Sequence, residues 1–108
     1  KIYTSQTVGF YIKKKIHDKI GIYNTKYKHS NDYDFFYRLI KNKKFIGKRT
    51  LRNEILGKFR EGGFSSNLKF FDRLFVELRI RFDNNQNLFD LVIIFFARCI
   101  WEVKNKLK

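Results

Sequence analysis

The sequence has no proline and no methionine, a single cysteine, and 10 acidic residues against 24 lysines and arginines. One cysteine excludes an intrachain disulfide. Cys99 lies in an apolar run and is expected to be a buried, reduced thiol in a cytosolic setting. The unbroken apolar run at residues 91–97 is far short of the ~20 residues that a membrane-spanning helix needs. There is no internal repeat, low-complexity linker or signal-peptide pattern. A chain that starts at Lys1 without methionine reads as a piece of a longer protein. The lack of proline beside abundant Lys, Asn, Ile, Phe and Tyr is the composition of AT-rich coding sequence. That bias raises the lysine count without any functional cause.

What is present is enough to fold. An apolar fraction of 44% and an aromatic fraction of 19% argue against global disorder. The 108 residues allow one small domain or a part of a larger one. The net charge of +14 favours anionic partners: nucleotide phosphates, acidic lipid or nucleic acid. Charge alone does not choose among them.

Taken in order, residues 2–12 have strand-like composition, with Tyr3, Thr4, Thr7, Val8, Phe10, Tyr11 and Ile12. Residues 13–20 predict a short helix, with Ile16 and Ile20 four apart and Gly21 as its stop. Residues 22–30 read as a polar, aromatic loop. A helix is predicted over residues 32–42, then short strands at 45–46 and 54–59 joined by the basic residues Lys48, Arg49 and Arg52. Residues 59–67, FREGGFSSN, give a turn signal. Beyond Asn67 the pattern turns helical. Leu68, Phe71, Leu74, Phe75, Leu78 and Phe82 fall on one side, with Lys69, Arg73, Glu77 and Arg81 opposite. The NNQN at 84–87 breaks that helix, and a second runs over 88–103, apolar almost all round and followed by Lys104, Lys106 and Lys108. An aromatic helix with a basic end suits either an anionic membrane surface or burial against other protein.

The stretch that organises the chain is NDYDFFYRL, residues 31–39. Asn31 can cap a helix there, with Asp32 and Asp34 in its first turn. Phe35, Phe36, Leu39 and Ile40 form an apolar stripe at i, i+1, i+4, i+5 spacing. Two carboxylates this close in so basic a chain are the best candidates for chemistry. Their simplest reading is a capped, dipole-favoured first turn. The D-x-D of Asp32-Tyr33-Asp34 does not make a metal site on a helix, because residues i and i+2 lie about 200° apart. Asp34 is better placed to pair with Arg38 at i+4. Downstream, Gly62-Gly63 can present successive backbone N–H groups to an anion, with Arg60 alongside; the alternative is a turn whose Ser65 or Ser66 caps the next helix. His29, three residues before Asp32, is a candidate to orient a ligand. Lys48, Arg49 and Arg52 read as an anion-binding group or a solvated face.

Several pieces in order resemble the C-terminal half of a family 2 glycosyltransferase of the GT-A fold. Ser5-Gln6 is followed by the apolar residues 8–12, the segment KKKIHDKIGIYNTKYK, NDYDFFYRL and FREGGFSS. Ser5 stands where many relatives carry His, and Asn31 where many carry Glu. The resemblance covers residues 4–67 and implies an α+β fragment. Residues 1–66 would be short strands and helices from the acceptor side of a GT-A α/β domain, and 67–108 two C-terminal helices that can meet a membrane.

The resemblance implies an inverting transfer of sugar from a nucleotide-sugar donor to a glycan or lipid-linked saccharide. Asp32 would take the proton of the attacking hydroxyl. Asp34, Arg60, Gly62, Gly63, Ser65 and His29 are the acceptor- or donor-binding candidates. A divalent metal, Mg or Mn, would belong to the nucleotide-binding half and its own D-x-D, both outside this sequence, so this chain alone would bind no metal and be inactive. Partners would be donor, acceptor and an anionic membrane surface, not nucleic acid. The location would be cytoplasmic, peripheral at the inner face of the membrane. Two other readings stay open: a basic nucleic-acid-binding module with Tyr23, Tyr27 and Tyr33 among lysines, and a membrane-surface interaction module over 67–108.

Overall fold

The computed structural model describes every residue except 1–8, 43, 49, 52, 56, 59, 61 and 64–66. The expected Ser5-Gln6 pair, Arg49, Arg52, Phe59 and Ser65 therefore lie outside the described residues. The chain divides into two compact units, Lys1–Asn67 and Leu68–Lys108.

In the first unit, α1 spans Lys14–Ile20 and α2 spans Asn31–Lys41. α1 turns Ile16, His17 and Ile20 inward and leaves Lys14, Lys15 and Lys19 in solvent. It ends at Gly21, whose φ of 81° and ψ of 177° suit only glycine. The Gly21 N–H returns to the His17 carbonyl at 2.8 Å. α2 buries Phe35, fully, and Phe36. His17 stacks on Phe35 at 4.9 Å, Tyr23 packs on the same ring at 4.8 Å, and Phe10 meets Phe36 edge-on at 4.7 Å. Burying a Phe in this way contributes about 1.5–3 kcal/mol, so this aromatic cluster is the unit's core.

The expected stripe on α2 is only half right. Ile40 is 55% exposed, and the fully inward position is taken by Asp34, 1% exposed. Hydropathy cannot foresee a carboxylate inside, because that depends on a partner.

The α+β expectation is overturned. The described residues form four α-helices and no strand. At 45–46 and through the described part of 54–59 the chain has no regular structure, and Ile46, Leu51 and Ile55 are 94%, 69% and 82% exposed. β-branched composition supplies propensity, but a strand exists only where a neighbour takes its N–H and C=O groups. Short turns hold this segment: Glu54 N–H donates to the Leu51 carbonyl and its carboxylate accepts from Leu51 N–H at 2.8 Å. Residues 9–12 also form no strand.

The second unit is a helical hairpin of α3, Phe70–Asp83, and α4, Leu88–Lys106. Asn85 adopts a left-handed φ of 59°, while Asn85 N–H bonds the Phe82 carbonyl at 2.9 Å and Gln86 N–H the Arg81 carbonyl at 3.0 Å. This is a Schellman stop with Asn in the place Gly usually fills. Asn87 then caps α4, its side-chain oxygen accepting from Phe89 N–H at 3.1 Å. Leu74, Ile80 and Leu91 are the buried apolar residues. Glu77 ties the helices together, accepting from Arg81 on its own helix at 3.2 Å and from Arg98 of α4 at 3.1 Å. Cys99 is half-buried rather than fully enclosed. No helix of the structure is long and apolar enough to cross a membrane.

Candidate functional site

Arg38 builds the frame around the start of α2. Its Nε meets Asp34 Oδ2 at 3.0 Å. Its Nη2 donates to the Ile22 carbonyl at 2.7 Å, and its Nη1 donates to the Ile20 carbonyl. Its guanidinium also lies over the Phe35 ring, 5.6 Å from the centroid. The last carbonyls of α1 have no partner within their own helix, and the guanidinium fork supplies one. A local i, i+4 pair was legible in the sequence. The reach to carbonyls 18 and 16 residues away was not. Nothing in the pattern of apolar residues signals it; the one cue is an Arg four residues after an Asp that a helix turns inward.

This clamp fixes the loop 21–30 and the first turn of α2, where Asp32 sits. Asn31 is the first helical residue, not the cap. Ser30 holds the cap position with a left-handed φ of 63° and no side-chain bond to the helix. Its hydroxyl lies 3.3 Å from His29 Nδ1 instead. Asp32 is half-buried, and its Oδ1 accepts from Tyr33 N–H at 2.8 Å. Among the described residues no partner takes its Oδ2. The positive end of α2 favours a carboxylate here. His29, Ser30 and Asp32 thus gather at one helix start, with one carboxylate oxygen unengaged.

The other candidates sit differently. Asp34 is bound to Arg38 and inaccessible. Arg60 is exposed. Gly62 has a left-handed φ of 84°, and a Cβ built on Gly62 or Gly63 would meet nothing within 4 Å. The bend is therefore open, with room for a ligand but no neighbouring wall among the described residues. No group of three His, Cys, Asp or Glu side chains among the described residues could hold a metal ion. Asp34, held by Arg38, cannot join Asp32 on one ion, so these residues do not fit a metal and no step below passes through one.

His17, given no role by the sequence, proves to be a core residue. Its ring stacks on Phe35, and its buried Nδ1 has no hydrogen-bond partner. No family model, curated protein or solved structure matches the chain.

Proposed function

We propose that this chain is the acceptor-side part of a nucleotide-sugar glycosyltransferase, acting on a glycan or lipid-linked saccharide at the cytoplasmic face of a membrane. The observation that carries the reading is Asp32. It stands half-buried at the start of a helix that Arg38 locks in place, with one oxygen tied to Tyr33 N–H and the other without a partner among the described residues. A base must be held still and keep one lone pair available.

In the reaction, the acceptor hydroxyl loses its proton to Asp32 Oδ2 as its oxygen bonds to the anomeric carbon. The bond to the donor's diphosphate breaks, the electron pair leaves with the nucleotide, and configuration inverts. His29, whose Nδ1 lies 3.3 Å from the Ser30 hydroxyl, is the candidate to orient the acceptor. Arg60 and the open Gly62-Gly63 bend are candidates for the donor's phosphates. The sequence segments that resemble family 2 glycosyltransferases support the same assignment.

The test is Asp32→Asn in the full-length protein, assayed for transfer and hydrolysis with a panel of UDP-, GDP- and dTDP-sugars. The expected result is a loss of at least ~10²-fold in kcat, the scale of a removed general base, with unchanged helical circular dichroism. Full activity in this variant would remove Asp32 from the mechanism.

A further inference from the structure

We infer that the α3–α4 hairpin is a membrane-docking element whose apolar side lies on anionic phospholipid. This goes beyond the transferase reading and stands on the hairpin by itself. Phe75, Leu78 and Phe82 of α3 and Leu88, Val92 and Phe96 of α4 line one shallow apolar groove. A polar cluster of Glu77, Arg81, Arg98 and Gln86 lies outside this lining, which holds one charged residue, Arg79. α4 adds a second exposed apolar row, with Phe89, Ile93, Ile100 and Val103 each more than half exposed. Six aromatic side chains of the hairpin (Phe71, Phe75, Phe82, Phe89, Phe96 and Trp101) are 54–70% exposed. Each carries about 150–250 Å². With the aliphatic residues between them, the summed exposed apolar area of the hairpin is on the order of 1,000 Å², and exposed apolar surface of this kind marks a protein or membrane contact.

Three occupants could cover such a surface: lipid, a second copy, or another protein. Charge decides for anionic lipid. Residues 68–108 hold eight Lys+Arg and five Asp+Glu, a net +3, and Lys104, Lys106 and Lys108 gather that excess at the end of α4. A second copy would set one cationic hairpin against another, whereas an anionic bilayer accepts both the apolar residues and the cations. Neither helix can cross the bilayer, so the hairpin lies in the interface. Arg79, on the groove, pairs with Asp83 at 4.0 Å, and its long stem lets the head stay in water.

Trp101, the single tryptophan, lies about 180° around α4 from Val92, so the probe is moved to the apolar side by Phe89→Trp with Trp101→Phe, both at exposed positions. The experiment mixes the full chain and this variant with vesicles of 30% phosphatidylglycerol in phosphatidylcholine, and with pure phosphatidylcholine. Flotation of both and emission of the variant are read together, and brominated lipid serves as a depth quencher. The expected result is flotation with the anionic vesicles, a blue shift of the variant's emission, and quenching by the brominated lipid. Val92→Glu with Phe96→Glu, both at exposed positions, should cut partitioning at least tenfold, and Lys104, Lys106 and Lys108 changed together to Gln should weaken it. Three outcomes overturn the inference: no flotation; flotation without any change or quenching of the variant's emission, meaning adsorption by charge alone; or a dimeric mass with blue-shifted emission before lipid is added, which gives the surface to a second copy. The quenching measurement in the aromatic-for-aromatic variant decides even where the glutamate variant does not fold. Asp32 takes no part, so the outcome is independent of the transferase assay.

Discussion

Arg38 concentrates more of the first unit's order than any apolar residue near it. One guanidinium satisfies a carboxylate with 2% of its side-chain surface exposed, two carbonyls from the end of α1 and beyond, and the face of Phe35. Removing it takes the paired guanidinium away from a carboxylate that is 1% exposed. Losses of this kind cost about 3–5 kcal/mol, a large share of the stability of a small domain. Arg38→Ala is therefore expected to unfold the first unit or bring it close to unfolding. Arg38→Lys should recover little, because an ammonium cannot span three acceptors in the plane a guanidinium fork provides. Urea melts of the two variants, followed by circular dichroism, measure this. A loss below about 1 kcal/mol for Arg38→Ala would mean that the clamp does not hold α2. Asp32 depends on this frame without belonging to it. Asp32→Asn should cost no more than the about 0.3–1 kcal/mol of a charge at a helix start, and a small loss beside a large fall in activity separates a base from a structural carboxylate.

At the scale of elements, what the sequence made legible follows from where each signal comes from. The helices were readable because their cues are local: Gly21 after a basic turn, Asp32 and Asp34 at the start of α2, the heptad-like recurrence from Phe71 to Phe82, and the asparagines between α3 and α4. The strands were misread because their reality depends on a neighbour that the sequence of one segment does not contain. The Asp34–Arg38 pair was legible from its i, i+4 spacing, but the burial that takes Asp34 out of reach of a ligand was not, because it depends on the packing of α2 in the first unit. The Asp32 environment was half legible: its place in the first turn was, but the Ser30–His29 contact beside it and the unhelpful cap were not. Where a local cue was correct, it can be tested. Among the described residues Asn87 is the one N-cap whose side chain bonds its own helix, so Asn87→Ala should cost about 1 kcal/mol of hairpin stability. Asn105→Ala, exposed near the other end of α4, should cost nothing. Equal melts for the two variants would show that α4 is held by packing alone.

At the scale of the whole molecule, +14 must attract polyanions, and the question is whether it does so with a built surface. A single-strand binder needs aromatic faces that are free to stack on bases. The tyrosines that suggested such a surface are engaged in the fold. Tyr27 is 6% exposed, Tyr23 packs on Phe35 at 4.8 Å, and Tyr33 stacks with Tyr37 at 6.5 Å. What remains is a set of solvated lysines, whose attraction for phosphate is electrostatic and collapses as added salt lowers the entropy gained on releasing condensed counterions. Binding to a fluorescein-labelled dT20 strand is therefore expected at 50 mM salt and should fall about 10³-fold or more by 200 mM, as it does for proteins that only neutralise phosphates. Tyr23→Ala should not change the affinity at any salt beyond its effect on folding. Anisotropy titrations across that range measure both. Submicromolar affinity that survives 200 mM salt and falls when Tyr23 or Tyr33 is removed would mean that stacking contributes, and would favour a nucleic-acid surface over the transferase reading.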